Sequence, residues 1–264
     1  MQGIADYEFV RSLGSGNHGQ FFLARRPLRL PIEVEFVAVK VLSGESTADT
    51  FRRATREMRA FAAVRSPHLV TLYDAGQHDG IFYYSMEFLP AGTLEHPAYA
   101  IERPAALRAV VDAARAIAAL HAAGIVHRDV KPSNVLLTSD GAKLSDLGLS
   151  QVFTPGITLT GMGSITSVEY TDPDLLHGEP PAPHHDVWSL GVMLHRVAAG
   201  AGVVGDLPAS DGQRALRWIL SNKPEISPTL EASLADLVRD CLAPAAQRPT
   251  AAAVADRITV ATGG

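Results

Sequence analysis

The stretch Ile125–Leu137, I-V-H-R-D-V-K-P-S-N-V-L-L, says more about fold and chemistry than any other part of the chain. Apolar residues lead into it and out of it, which predicts two short buried strands that hold a polar loop at their rim. The loop contains an acid, Asp129, a cation, Lys131, and an amide, Asn134. A carboxylate can accept the proton of an attacking hydroxyl, a cation can balance phosphoryl charge, and an amide oxygen can bind a metal. These residue types indicate phosphoryl transfer; the alternative is a surface turn with incidental charges.

Length and composition are those of a globular protein. The 264 residues are enough for one domain or two closely joined lobes, and 47% of them are hydrophobic. The net charge of −5 argues against a nucleic-acid partner, and the single cysteine fits a reducing compartment. We find no signal peptide and no apolar run long enough to span a membrane. Arginine and alanine are abundant while lysine is rare, which indicates a GC-rich, bacterial coding sequence.

A glycine-rich turn lies near the start of the chain, where residues 7–42 are predicted to form strands. The pattern G-x-G-x-x-G falls between Tyr7–Leu13 and Phe21–Arg25. Glycines at this spacing let a hairpin offer backbone N–H groups to phosphates. The rival is a dinucleotide-binding turn, which requires a helix directly after the glycines. Here a second strand, Glu35–Leu42, is predicted to follow, and this order disfavours the dinucleotide fold.

Lys40 interrupts the apolar run of that second strand, where an unpaired charge would be costly. An edge-strand lysine that reaches water is the alternative. Residues 48–64 are predicted to form a helix, on which Glu57 shares a face with Ala54 and Phe61. Because a carboxylate on an inward face needs a cation, the sequence predicts an ion pair between Lys40 and Glu57.

Further strands and then helices are predicted in the rest of the chain. Two further strands are predicted at Leu69–Asp74 and Ile81–Phe88, and a Pro- and Gly-containing link follows near residue 89. The predicted helices after that link are Arg103–Ala123, His184–Ala199, Gly212–Ser221, Leu230–Leu242 and Thr250–Val260.

In this order, and over about residues 7–258, the motifs resemble those of the eukaryotic-type (Hanks-type) serine/threonine protein kinases. The resemblance implies a bilobal α+β kinase fold in a single domain over 1–264. A small β-rich N-lobe would cover about 1–88, with a hinge near 89 and a larger helical C-lobe over about 90–264. It also implies transfer of the ATP γ-phosphoryl group to protein Ser or Thr hydroxyls, with Mg²⁺ or Mn²⁺. Lys131 favours serine/threonine kinases over tyrosine kinases.

The resemblance assigns chemical roles to individual residues. Asp129 would accept the hydroxyl proton, Lys131 would stabilise the transferred charge, and Asn134 would bind the metal. Asp146, which ends an apolar strand before Leu147, would be the second metal ligand, with Leu147 in place of the usual phenylalanine.

The nucleotide would be held by the strands of the N-lobe. Lys40 and Glu57 would position the phosphates. Met86 would be the gatekeeper residue, and the backbone of Glu87 and Leu89 would face the adenine. The full predicted nucleotide set is Gly14, Ser15, Gly16, Gly19, Phe21, Ala38, Lys40, Met86, Glu87, Leu89 and Leu136.

Residues 149–171 are rich in Gly, Ser and Thr and resemble the activation segment of the family. Arg128 precedes the catalytic acid, and in kinases with this arginine a phosphorylated residue of the segment commonly supplies an anion. The sequence therefore predicts autophosphorylation at Thr160, with Thr158 and Ser164 as the next candidates. A constitutively ordered segment is the alternative, and a homodimer for autophosphorylation is left open.

Phe21 departs from the family pattern, which has a valine at this position. A ring is bulkier than an isopropyl group, so it must either stack on the adenine or swing away and leave Ala38 and Leu136 to sandwich the base.

A second departure is Y-T-D-P-D at 170–174, where the family has Y-x-A-P-E. Asp172 replaces a small apolar residue, and Asp174, shorter than glutamate, is expected to pair with Arg248. We also expect Asp186 of the central helix to brace the catalytic loop. His184 and His185 are expected to be solvated rather than ligands.

Two other functions are weighed against a protein kinase. A pseudokinase that serves as a nucleotide-binding scaffold is favoured by the unusual end of the activation segment but opposed by the complete catalytic set. A small-molecule kinase is disfavoured by Lys131 and the long Ser/Thr-rich segment. We expect a cytoplasmic location, either as a free protein or as the cytoplasmic domain of a longer membrane-anchored receptor kinase.

Overall fold

The computed structural model describes residues 2–16, 19–44, 47–147, 168–205, 207 and 212–263. Within these ranges the chain forms two compact units, the first made of residues 2–63 and 70–89. The second unit contains residues 64–69, 90–147 and 168–263. The predicted phosphorylation sites Thr158, Thr160 and Ser164 lie outside the described residues.

An antiparallel sheet forms most of the first unit. Its strands are β1 (Gly3–Ile4), β2 (Tyr7–Gly16), β3 (Gly19–Arg25), β4 (Phe36–Leu42), β5 (Leu72–His78) and β6 (Ile81–Glu87), in the spatial order β1-β2-β3-β4-β6-β5. The strands predicted over residues 7–42 are confirmed. A strand, β3, follows the glycines where a dinucleotide-binding turn requires a helix, so that alternative is wrong.

The two faces of this sheet have different surroundings. Because successive side chains of a strand point to opposite faces, β4 separates Val37, Val39 and Val41 from Ala38 and Lys40. The three valines belong to the buried core of the first unit. Ala38 and Lys40 therefore project from the face opposite that core.

Helix α1 (Ala48–Ala63) confirms the helix predicted over residues 48–64. Its buried residues are Ala54, Met58 and Phe61, which recur at spacings of three and four and so lie on one face. Glu57 is half-buried beside them.

Helices dominate the second unit, together with a two-stranded sheet. The five predicted helices are present, with ends within two residues of the prediction. The elements are α2 (Arg103–Ala122), β7 (Val135–Leu137), β8 (Ala142–Leu144), α3 (Pro173–Leu176), α4 (Pro183–Ala199), α5 (Gly212–Ser221), α6 (Ala232–Cys241) and α7 (Ala251–Thr262).

The prediction of two strands around the polar loop is only half correct. Val135–Leu137 is the strand β7, but Ile125 and Val126 are not in a strand. Gly124, with φ of 74°, ends α2, and the Ile125 N–H donates to the Leu120 carbonyl of that helix. The apolar lead-in therefore closes a helix instead of pairing in a sheet.

The strand predicted at Leu69–Asp74 begins three residues later, at Leu72. Leu69 instead forms an isolated parallel bridge with Leu144 within the second unit, and the Leu144 N–H donates to the His68 carbonyl at 2.8 Å. The segment Leu69–Leu72 is thus divided between the two units, which a sequence pattern alone does not reveal.

Candidate active site

The polar loop is held by Asp186, which lies in the first turn of α4 and is 1% exposed. Its carboxylate accepts the backbone N–H groups of His127 and Arg128, each at 2.8 Å. His121 Nε2 of α2 lies 2.8 Å from the same carboxylate. The prediction that Asp186 braces the loop is confirmed. Arg128 has a φ of 71°, a left-handed conformation that is strained for this residue and needs such support.

His127 is fully buried and connects the loop to the segment that carries Asp146. Its Nε2 lies 3.0 Å from the Ser145 carbonyl, and its Nδ1 accepts the Asp129 N–H at 3.3 Å. Burial lowers the pKa of His127, although nearby carboxylates act in the opposite direction. A neutral ring with its proton on Nε2 satisfies both contacts. The sequence interpretation gave His127 no role, although its place before Arg128 and Asp129 was visible.

Asp129 is the centre of the loop. Lys131 Nζ lies 2.8 Å from its Oδ1, and the Asn134 side-chain amide donates to its Oδ2 at 3.0 Å and to its carbonyl at 2.7 Å. Burial acts to raise the pKa of Asp129, but the charge and hydrogen bond of Lys131 and the bond from Asn134 outweigh it. The pKa therefore lies below its ordinary value, and the group is a carboxylate at neutral pH.

Asn134 and Asp146 fit the requirements of a divalent cation. Both amide hydrogens of Asn134 are directed at Asp129, and among the described residues no donor reaches its amide oxygen. The Asn134 backbone carbonyl accepts hydrogen bonds from the Ser145 N–H at 2.8 Å and from the Ser145 hydroxyl at 3.1 Å. These bonds hold Asn134 against Ser145, the residue that precedes Asp146 in the sequence. An amide oxygen and a carboxylate are the ligand types that Mg²⁺ and Mn²⁺ prefer.

The glycine-rich hairpin joins β2 to β3 in the first unit. Ser15 pairs with Gln20, and Gly16 pairs with Gly19. Gly14 has a φ of 123°, which other residues rarely adopt. A Cβ on Gly19 would lie 2.2 Å from the Val41 carbonyl, so a larger residue would push β3 away from β4.

Lys40 lies in the middle of a cross-strand row. It pairs in register with Phe21 of β3 on one side and Tyr84 of β6 on the other. Its ammonium lies 4.7 Å from the centroid of the Phe21 ring and 6.0 Å from that of Tyr84. The sequence interpretation expected Phe21 to meet the adenine or swing away, and it missed this contact with Lys40. The ion pair between Lys40 and Glu57 stays a prediction.

Other nucleotide candidates lie at the end of β6. Ala38 pairs in register with Met86, and both are buried. The Glu87 N–H donates to the Thr71 carbonyl at 2.9 Å, and Glu87 Oε1 accepts the Thr71 N–H at 2.7 Å. These bonds fix the strand end just before Leu89. The proposed adenine contacts of Glu87 and Leu89, and those of Leu136 in β7, stay predictions.

Arg248 confirms one predicted contact and reveals a closer one. Its guanidinium lies 3.7 Å from the Asp174 carboxylate, as expected, but its tight partner is Asp172. Asp174 is 40% exposed at the side chain, whereas Asp172 is 1% exposed. Sequence comparison with the family pattern had assigned the pair to Asp174 alone.

Burial explains why Asp172 is the principal partner. The Arg248 side chain is 3% exposed, and a buried cation is tolerated only beside a buried anion with its hydrogen bonds satisfied. The guanidinium also donates to the carbonyls of Ala243 at 2.7 Å and His184 at 3.0 Å, and it lies over the Trp188 ring. Asp172 additionally caps α3 by accepting the Asp174 N–H at 3.1 Å.

His185 contradicts the expectation of a solvated pair, because it is 2% exposed. Its Nε2 lies 3.1 Å from His184 Nε2, and a carboxylate oxygen of Glu179 is also near. These three residues bring metal-type ligand atoms within 4.8 Å of one another. However, His185 Nδ1 accepts the Ala182 N–H at 3.0 Å, which places the ring proton on Nε2, the atom that would face a metal. The arrangement fits a hydrogen-bonded histidine pair better than a metal site.

Comparison with known proteins identifies the family to which the chain belongs. A family model described as a protein kinase domain matches residues 7–257. The serine/threonine-protein kinase PknJ of Mycobacterium tuberculosis is 30% identical over 249 residues, which cover 88% of this chain and 41% of that protein. The probable serine/threonine-protein kinase PkwA of Thermomonospora curvata is 31% identical over 251 residues, covering 90% and 32% respectively. This chain thus spans well under half the length of these relatives.

A solved structure agrees with the sequence comparison. The crystal structure of a mutant form of the Mycobacterium tuberculosis PknI kinase domain matches with a TM-score of 0.74 and 25% identity. The match covers 100% of this chain and 99% of the other. In the part of the chain that the structure describes, no helix is long and apolar enough to cross a membrane.

Proposed function

Because this chain belongs to the protein kinase domain family and has its bilobal α+β fold, we propose that it phosphorylates Ser or Thr hydroxyls of protein substrates with ATP. The main observation behind the proposal is the group of side chains around Asp129, in which Lys131 and Asn134 both contact the Asp129 carboxylate. Relatives named as serine/threonine-protein kinases support the same reaction. None of the comparisons supports the pseudokinase alternative.

In this mechanism Asp129 orients the substrate hydroxyl and accepts its proton as the hydroxyl oxygen bonds to the γ-phosphorus and the bond from that phosphorus to the leaving ADP oxygen breaks. A carboxylate with a lowered pKa is a weak base, which suits a loose transition state in which the proton leaves late. Lys131 balances the charge of the transferred phosphoryl group. Asn134 and Asp146 would hold Mg²⁺ or Mn²⁺, which when bound neutralises phosphate charge.

ATP itself is assigned to the first unit and to Leu136. Lys40, paired with Glu57, would hold the phosphates, and the glycine-rich hairpin would offer its N–H groups to them. Ala38, Met86 and Leu136 would contact the base. The remaining proposed contacts come from Gly14, Ser15, Gly16, Gly19 and the backbone of Glu87 and Leu89, while Phe21 lies beside Lys40.

Regulation is proposed to follow from Arg128. A phosphate on Thr160, or on Thr158 or Ser164, would supply an anion for its guanidinium through charge-assisted hydrogen bonds. The modification would arise by autophosphorylation, with a homodimer as one route. We propose a cytoplasmic location, with the chain either free or part of a longer membrane-anchored receptor kinase.

The test is transfer of radiolabelled phosphate from ATP with Mg²⁺ to a generic protein substrate, followed by phosphoamino-acid analysis. We expect labelled phosphoserine or phosphothreonine, and label within residues 154–167 of the enzyme itself. Mn²⁺ is tested in parallel. ATP binding without any transfer with either metal would support the pseudokinase instead.

A further inference from the structure

Three side chains form a row across the sheet of the first unit. The register pairs Phe21 with Lys40 between β3 and β4, and Lys40 with Tyr84 between β4 and β6. Directly opposed residues of neighbouring strands project from the same face, so the cation lies between two rings. The ammonium is 4.7 Å from the Phe21 centroid and 6.0 Å from the Tyr84 centroid.

These distances allow an attraction between the ammonium and the aromatic faces. A cation within about 6 Å of a ring centroid is attracted by the ring quadrupole. Phe21 is well inside this limit, whereas Tyr84 is at its edge, so Phe21 makes the stronger contact. Lys40 and Phe21 are both half-buried, which reduces competition from water.

Phe22, the next residue of β3, packs on the opposite face of the sheet. Phe22 points to the opposite face, where its ring stacks on Phe9 with centroids 4.0 Å apart and an interplanar angle of 2°. It packs against the buried core of the first unit. Phe21 and Phe22 are therefore adjacent residues of the same type, one beside Lys40 and one in the core.

We propose that Phe21 is a positioning residue for Lys40. Its ring holds the ammonium on the face of the sheet in the orientation that receives phosphates, and Tyr84 supports it from β6. This inference rests on the proposed role of Lys40 in ATP binding. Phe21 then raises the affinity for the phosphates of ATP without contributing to recognition of adenine.

The physical reason is preorganisation. A lysine side chain is long and flexible, and its ammonium is strongly hydrated, so fixing it on ligand binding costs conformational entropy. A ring that already restricts the ammonium removes part of this cost before ATP arrives. A single contact of this kind corresponds to about a 3- to 10-fold change in affinity.

The experiment compares ATP and adenosine binding, by calorimetry and by competition, in Phe21→Leu and in the wild type. Phe21→Leu keeps an apolar side chain but removes the ring. We expect the Kd for ATP to rise about 3- to 10-fold while the affinity for adenosine is unchanged. The KM for ATP should rise accordingly, with little change in kcat.

Three further variants separate positioning from a structural effect. Phe21→Tyr keeps a ring and should restore ATP affinity. Phe22→Leu should lower the melting temperature but leave the Kd for ATP unchanged. In a Lys40→Met background, Phe21→Leu should cause no further loss, because a residue that acts through Lys40 has no effect without it.

A spectroscopic signature tests the contact without any nucleotide. Ring currents should shift the Lys40 methylene protons upfield in the wild type, and Phe21→Leu should remove the shift. If adenosine affinity falls together with ATP affinity, Phe21 contacts the base and the inference is wrong. Additive losses in the Lys40→Met background would also overturn it. If the wild type binds adenosine and ATP but transfers no phosphate, the proposed function fails while this inference stands.

Discussion

The pair formed by Asp172 and Arg248 allows a quantitative prediction, because two acids compete for one arginine. Asp172→Asn keeps the size of the side chain and removes its charge. The Arg248 guanidinium would then be a cation at 3% exposure without its buried anion. Breaking a buried ion pair in this way costs about 3–5 kcal/mol.

The lower end of that range is expected here. The carbonyls of His184 and Ala243 still accept hydrogen bonds from Arg248 after the substitution, at 3.0 and 2.7 Å. A loss of about 3 kcal/mol corresponds to a fall in Tm of about 6–12 °C for a protein of this size. Asp174→Asn is the matched control, because Asp174 is 40% exposed and 3.7 Å from the guanidinium. Such a partly exposed pair contributes at most about 1 kcal/mol.

Thermal unfolding followed by circular dichroism, at one salt concentration and pH 7, measures both variants. The Asp172→Asn protein should melt well below the wild type, and the Asp174→Asn protein close to it. The reverse order would show that Asp174 carries the pair, as the family pattern had indicated, and would refute the role of Asp172.

Two further predictions concern the loop and the response to acid. Asp186→Ala removes the acceptor of the His127 and Arg128 N–H groups, so steady-state assays should show kcat reduced about 100-fold by misplacement of the loop, with a smaller change in the KM for ATP. Burial lowers the pKa of His127, of His185 and of His195, a buried residue of α4, from the ordinary 6.5, so the unfolded chain binds more protons than the folded one as the pH falls below that value. Tm should therefore fall as the pH drops below about 6.5, and a Tm that is constant or rises between pH 7 and pH 5 would contradict this reasoning.

Much of the fold and of the loop was predictable from sequence because both depend on local patterns. Apolar residues at a spacing of three and four located α2, and the apolar run of β4 placed Lys40 among buried neighbours. Asp129, Lys131 and Asn134 are only a few residues apart, so their sequence spacing was enough to predict that one short loop brings them together. Asp186 could be expected to brace that loop, and its two hydrogen bonds confirm it.

The parts that sequence reasoning missed depend on which neighbour a side chain reaches. Asp172 and Asp174 are two residues apart, and only burial decides that Asp172 is the closer partner of Arg248. Likewise, the contact between Phe21 and Lys40 requires the strand register, which a hydrophobic pattern does not specify. His185 is 2% exposed, and its Nδ1 accepts the Ala182 N–H, a contact that the sequence does not reveal.

Phosphoryl transfer by Asp129→Asn tests the central claim most directly. The change replaces the proton acceptor with an amide of the same size, and calorimetry with Mg-ATP establishes whether the nucleotide still binds. Asp140→Asn, in an exposed turn, is the control for an equivalent loss of charge. We predict that Asp129→Asn binds ATP normally while its transfer rate falls at least about 100-fold, and that Asp140→Asn is fully active. Transfer at the wild-type rate by a folded Asp129→Asn protein would contradict the role of Asp129 and with it the proposed mechanism.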